Sequence, residues 1–195
     1  MILPIIAYGN PILKKVAQGI DQTYPKIKEL INNMFETMHN AKGIGLAAPQ
    51  VGLSIRLFII DTTPLAKEKD NEHIEDFKQA FINPEIIEKK GDEWTYNEGC
   101  LSIPDIREDV VRKSQVSLRY YDENFNPCTK KFIDLIGRII LHEYDHLEGI
   151  LFTDHLSSLR KRLLKRKLTD ISKGNIEISY EMSFPLKKVK QSIVI

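Results

Sequence analysis

Apolar residues recur along the chain in two rhythms, one helical and one close to alternation. Over residues 25–40, Ile27, Leu30, Ile31, Met34, Phe35 and Met38 fall at offsets of 0, 3, 4, 7, 8 and 11, which is one face of an α-helix. Pro25 suits its first turn, and Gly43 lies beyond its end. Over 134–149 the pattern changes: Leu135, Ile136, Ile139, Ile140, Leu141, Tyr144 and Leu147 cover nearly the whole circumference. That predicts a helix buried on all sides, with Asp134 as N-cap and Gly149 just past the C-terminus. A third helix starts at Ser157 or Ser158, runs to Lys173 and stops at Gly174. Leu159, Leu163, Leu168 and Ile171 form its inner stripe, and Arg160, Lys161, Arg162, Lys165, Arg166 and Lys167 its basic outer face.

The chain opens extended and turns at Gly9-Asn10-Pro11. Strand-like runs follow at 55–60, 81–88, 93–96, 110–111, 115–121, 128–133 and 176–182. They alternate imperfectly, and most are joined by short turns, which predicts antiparallel pairing. The small-residue stretch GIGLAAPQVG (43–52) reads as a loop packed against its surroundings, and it lacks the G-K-[ST] ending of a phosphate loop. The charged stretch 64–78 reads as a solvated loop, with His73 a surface residue. The expected class is α+β, with antiparallel β-sheets wrapped around a central buried metal-binding helix. One catalytic domain takes residues 1–174, including the basic helix 158–173, and a C-terminal strand and basic tail take 175–195.

Composition narrows the partners. A chain of 195 residues with 28 basic and 27 acidic side chains carries a net charge of +1, so nothing draws it as a whole to DNA or to a membrane. Any anionic partner has to be met locally, and the basic helix is the place. Two cysteines make no disulfide framework, which suits a reducing cytosol. MILPIIAYGNP has no basic segment ahead of its short apolar run, and no stretch reaches the roughly 18 apolar residues of a membrane span. The expected location is cytoplasmic.

The chemistry is concentrated in HEYDH (142–146). His142 and His146, four apart on a helix, stack on one face and can grip one metal ion. Glu143 beside them can act as general base. The competing reading is two core histidines satisfied by hydrogen bonds. A catalytic metal site usually takes three protein ligands and leaves one open position. A metzincin-like third His is missing, because Phe152 occupies its place and His155 comes three residues late. For a downstream carboxylate ligand of the thermolysin kind, the charged side chains over 160–173 are all basic except Asp170. Cys100 in NEGCLSIP remains the candidate, with Cys128 in a polar turn as the alternative.

Three segments, GIGLAAPQ (43–50), EGCLS (98–102) and HEYDH (142–146), resemble in order and spacing the signature motifs of the peptide deformylase family, and the similarity extends over roughly 1–173. The resemblance implies that Cys100, His142 and His146 are the metal ligands and that Glu143 is the general acid/base. It makes Gln50 and the Leu101 backbone N–H the oxyanion donors, and places Gly45 and Gly99 at the substrate. The implied reaction removes the N-formyl group from the formyl-methionine of nascent polypeptides and releases formate. Ligand chemistry alone suggests Zn²⁺; the resemblance implies one Fe²⁺ per chain, with Zn²⁺ or another divalent metal able to substitute. Counting back along the helix, Ile139 and Leu135 join Ile44 as lining for the methionine side chain, with the Arg138 stem at the rim; Leu135 could equally be plain core. The basic helix 158–173 is the candidate ribosome contact. Pro49, Asp134 and Leu141 depart from the commonest family pattern, which often has Thr, Gly and Gln at those places.

Overall fold

The computed structural model describes residues 1–67 and 74–186. In chain order the elements are β1 (Ile5–Ile6), α1 (Ile27–Asn40), β2 (Gly45–Ala47), β3 (Leu57–Asp61), α2 (Thr63–Ala66), β4 (Lys78–Cys100), β5 (Ile103–Tyr121), β6 (Pro127–Ile133), α3 (Asp134–Leu147), α4 (Ser158–Lys173) and β7 (Met182–Ser183). Strands β2 to β6 form an antiparallel sheet in sequential order, and β1 pairs with β7 in a short parallel ribbon. The class is α+β, as the apolar pattern predicts.

Strand β3 shows why two helices flank this sheet. All five of its residues are buried, and alternate side chains leave on opposite faces. Phe58 and Ile60 join Phe81, Tyr120, Phe132, Ile136 and Ile140 in the core around α3. Leu57 and Ile59 join Ile31, Met34, Met38 and Ile82 beneath α1. A third cluster, with Ile103, Val110, Phe152, Leu164 and Leu168, seals α4 against β5.

Several local expectations are corrected. The runs 81–88 and 93–96 are one strand, because register shifts at Ile82/Glu85, Ile86/Glu88 and Lys90/Glu93 break the alternation without ending the pairing. The stretch 43–52 is not all loop: Gly45–Ala47 pairs with β3 as an edge strand. Pro25 lies outside α1, since Lys26 takes a left-handed conformation (φ 54°) and the helix begins only at Ile27. Asp134 is no N-cap. Ile133 occupies that position without any side-chain bond, and Asp134 itself sits at φ 50°. That is a conformation Gly adopts freely and Asp tolerates better than most residues.

On α4 the buried stripe is Leu164, Leu168 and Ile171, while Leu159 and Leu163 are 70% and 62% exposed. Offsets of 0, 4 and 7 satisfy a helical face as well as the stripe read from sequence, and packing on β5 decides between them. Ser157 is the N-cap, accepting from the Arg160 N–H, and Gly174 ends the helix at φ 72°. The last strand shrinks from 176–182 to Met182–Ser183. Within the stretch 64–78, Thr63–Ala66 is helical and Lys78 already belongs to β4; His73 and the tail from 187 lie outside the described residues.

Candidate active site

Helix α3 presents His142 and His146 on one face, their ring centroids 5.1 Å apart and nearly perpendicular. The end of β4 brings Cys100 to them, immediately before the two-residue turn of Leu101 and Ser102 that leads into β5. Ligand atoms of Cys100, His142 and His146 lie within 4.8 Å of one another, and Cys100 Sγ is 3.4 Å from His146 Nε2. Cys128 is elsewhere, in β6, with its thiol on the Asn126 carbonyl.

A buried carboxylate orients the first histidine. Glu98 accepts from His142 Nδ1 at 2.9 Å, which fixes the tautomer and leaves Nε2 to face Cys100 and His146. The same carboxylate accepts from Arg112 Nε (2.7 Å) and Nη2 (3.0 Å) and from Arg138 Nη1 (2.9 Å). Arg112 also reaches Asp145 at 2.6 Å, and His155 contacts Asp145 at 2.7 Å. Burial alone would raise the Glu98 pKa, but hydrogen bonds from His142 and Arg112 hold it well below the usual carboxylate range. Glu98 is therefore a charged anchor, not an acid in reserve.

Glu143 has the opposite character. It is 4% exposed, its Oε2 has no hydrogen-bond partner, and burial pushes its pKa up to about 7. Its carboxyl lies against Gly45, where an added Cβ would come 2.9 Å from Glu143 Cδ. Gln50 is equally buried. Its Oε1 accepts the Ala47 N–H (2.8 Å), so Nε2 points to Cys100 Sγ and Ser102 Oγ, both at 3.3 Å.

These groups open on a cavity of about 560 Å³ whose wall includes Ile44, Gly45, Gly99, Leu101, Leu135 and Ile139. Leu135 is thus at the cavity while also packed against the core around α3. Arg138 also lines this cavity, while its guanidinium is turned inward: the residue is 2% exposed, bonded to Glu98 and to the carbonyls of Trp94 and Val110, and stacked 4.4 Å over Trp94.

A thiol and two imidazoles converging on one point, beside a buried carboxyl oxygen that lacks a partner, suit a divalent metal with a water next to it. A family model described as polypeptide deformylase matches residues 2–162. The chain belongs to the peptide deformylase family. It is 56% identical to the peptide deformylase of Christiangramia forsetii over 193 residues, covering 96% of this chain and 98% of that one. Against the peptide deformylase of Flavobacterium johnsoniae the identity is 53%, with the same coverage. Among solved structures, a peptide deformylase from Legionella pneumophila superposes with a TM-score of 0.78 at 35% identity, covering 90% of this chain and 98% of that chain. Peptide deformylase 1B of Arabidopsis thaliana gives 0.77 at 33% identity, with 89% and 92% covered. The protein is accordingly a metal-dependent hydrolase that removes the N-formyl group from nascent polypeptides.

Sequence reasoning singled out Cys100, His142, His146 and Glu143 but assigned nothing to Glu98, Arg112, Asp145, His155 or Tyr180. Glu98 and Asp145 stand inside the quoted motifs, and for Glu98 the signal is that an imidazole poised to bind a metal needs an acceptor for its second nitrogen, which it supplies to His142. Arg112 carried a signal too, since Ile106, Glu108, Val110 and Arg112 follow the buried face of β5 in steps of two. Tyr180, which lines the cavity from the C-terminal segment, had none.

Proposed function

We propose that Cys100, His142 and His146 hold a single Fe²⁺, for which Zn²⁺ or another divalent ion can substitute, and that Glu143 is the acid/base of deformylation. The observation that carries this reading is the buried Glu143 carboxyl, its Oε2 without a partner, beside the three converging donors. The metal supplies Lewis acidity that makes water nucleophilic near neutral pH. Glu143 takes the proton of the attacking water as general base. Gln50 Nε2 and the Leu101 N–H donate to the oxygen on which charge develops as the formyl carbon becomes tetrahedral. Glu143 then delivers its proton to the leaving amine, and formate and a free N-terminus result. The Gly45 edge of β2 accepts the extended substrate, Gly99 lies at its flank, and Ile44, Leu135 and Ile139 surround the methionine side chain. The test is Cys100→Ser beside Cys128→Ser, each assayed for bound metal and formate release. Loss of both in the first and retention in the second is expected; a metal-replete, active Cys100→Ser would overturn the ligand set.

A second element of the reading concerns location. Formylated chains emerge from ribosomes, so the enzyme acts in the cytoplasm, and among the described residues no helix is long and apolar enough to cross a membrane. Arg162, Lys165, Arg166 and Lys167 are exposed on α4 beside Leu159 and Leu163, whereas Arg160 is turned into an ion pair with Glu108. The exposed cations support contact with ribosomal RNA. Ribosome cosedimentation should weaken with salt and on neutralising Arg162 and Arg166; binding that ignored both would refute it.

A further inference from the structure

The turn that joins β4 to β5 carries two functional groups in succession, the Cys100 thiol and the Leu101 N–H, and the chain grips it from several sides. The Ser102 carbonyl accepts the Tyr8 N–H at 2.9 Å, and the Ser102 hydroxyl accepts from Gln50 Nε2 at 3.3 Å. The Leu101 side chain packs so closely over Gly43 that a Cβ there would come within 2.7 Å of it. The Leu101 carbonyl accepts the hydroxyl of Tyr180 at 2.7 Å. That tyrosine comes from the segment after α4, beyond the part of the chain that the family pattern covers.

The position of Tyr180 is itself fixed. Two residues later Met182 and Ser183 pair with Ile5 and Ile6, and Leu186 donates to the Ser172 carbonyl at 3.1 Å. Met182 and Phe184 pack against the cluster that seals α4. The segment is therefore anchored on both the N-terminal strand and the last turn of α4. From that base Tyr180 reaches the cavity wall, where it faces the same space as Leu101, Pro104 and Ile106. At the site, Tyr180 adds a donor to one carbonyl and a ring at one wall.

The geometry points to Tyr180 as a positioning residue for deformylation, its hydroxyl locking the Leu101–Ser102 peptide and thereby aiming the Leu101 N–H, while its ring walls the path of the residues after formyl-methionine. This rests on the reading of the Leu101 N–H as an oxyanion donor. Displacing reacting groups by about 1 Å can cost 10²-fold in rate, so a loosened turn is felt in turnover before it is felt in binding.

The test uses the full-length, metal-loaded enzyme with Tyr180→Phe and Tyr180→Ala. For Tyr180→Phe we expect kcat on a formyl-Met-Ala peptide to fall about tenfold, with KM within twofold and bound metal unchanged. Amide hydrogen exchange at Leu101 and Ser102, followed by NMR, should quicken about tenfold while α4 stays protected. Tyr180→Ala should in addition raise KM for formyl-Met-Ala-Ser severalfold through loss of the ring. A lower melting temperature with kcat, KM and exchange all unchanged would reduce Tyr180 to a structural brace and overturn the inference. Faster exchange with unchanged kcat would also overturn it, and would place the failure in the role given to the Leu101 N–H rather than in the clamp.

Discussion

Replacing Glu98 with Gln removes one charge from a buried cluster in which two carboxylates, Glu98 and Asp145, face two guanidinium groups, Arg112 and Arg138. All four residues are at most 8% exposed. The shape survives and the Gln amide oxygen still accepts, but one acceptor oxygen becomes an NH2 donor facing the N–H groups of Arg112 and His142 or Arg138, and both guanidinium groups lose the charge that Glu98 supplied. Breaking a buried pair by removing one partner costs about 3–5 kcal/mol. For a chain of this size each kcal/mol lowers Tm by about 2–4 °C, so a fall of roughly 6–20 °C is expected. The His142 tautomer also loses its charged acceptor, and second-sphere losses of this kind weaken metal binding about 10–100-fold. Calorimetry on metal-free protein reads the first effect, and competition against a chelator reads the second. A variant that melted within about 2 °C of wild type and kept its metal equally well would refute the claim that Glu98 anchors both the core and the site.

Four other outcomes follow from the geometry. Glu143→Ala should keep its metal and lose at least about 10²-fold in kcat, checked by metal analysis beside formate release; retained turnover in a folded variant would remove the assigned acid/base. Gly45→Ala places a Cβ against the Glu143 carboxyl, so turnover should fall more than about tenfold with little change in melting temperature; equal rates would show that Glu143 moves aside harmlessly. Ile44→Ala widens the apolar pocket and should lower the preference for methionine over larger side chains by about 10-fold; an unaltered side-chain profile would place the pocket elsewhere. Burial raises the Asp61 pKa, but hydrogen bonds from Thr63 and the charge of Lys78 outweigh it and hold the folded value below the ordinary one. A depressed carboxylate stabilises the fold above its unfolded pKa of about 3.9, and that contribution is lost as pH falls through the folded value. The denaturant-stability gap between wild type and Asp61→Asn should accordingly narrow below about pH 4, and a gap unchanged from pH 7 to 3 would contradict this.

What could be read from the chain follows from how local each feature is. His142 and His146 are legible because one helix sets their spacing. Cys100 comes from another element; eliminating other candidates leaves it beside Cys128, and the motif resemblance is what singles it out. The Glu98, Arg112, Arg138 and Asp145 cluster draws on two strands and α3, so no window of sequence contains it. Arg138 shows the limit: helix counting places it at the cavity, where it does lie, but its bond to Glu98 crosses from α3 to β4 and has no local signal. The α4 stripe failed for a related reason, since Leu163 and Leu164 both fit a helical period and the choice belongs to β5. Merged strands hide behind bulges, and Tyr180 is placed by the pairing of chain segments more than 170 residues apart.

The most direct test of the account is formate release from formyl-Met-Ala-Ser by anaerobically purified, iron-loaded enzyme, with acetyl-Met-Ala-Ser alongside and a chelator-treated sample as control. Formate equal to the free amine formed, no acetate, no cleavage of the peptide bonds, and loss of activity on chelation followed by recovery with Fe²⁺ are expected. Peptide-bond cleavage without formate, or formate release that persists undiminished in metal-free protein, would contradict it.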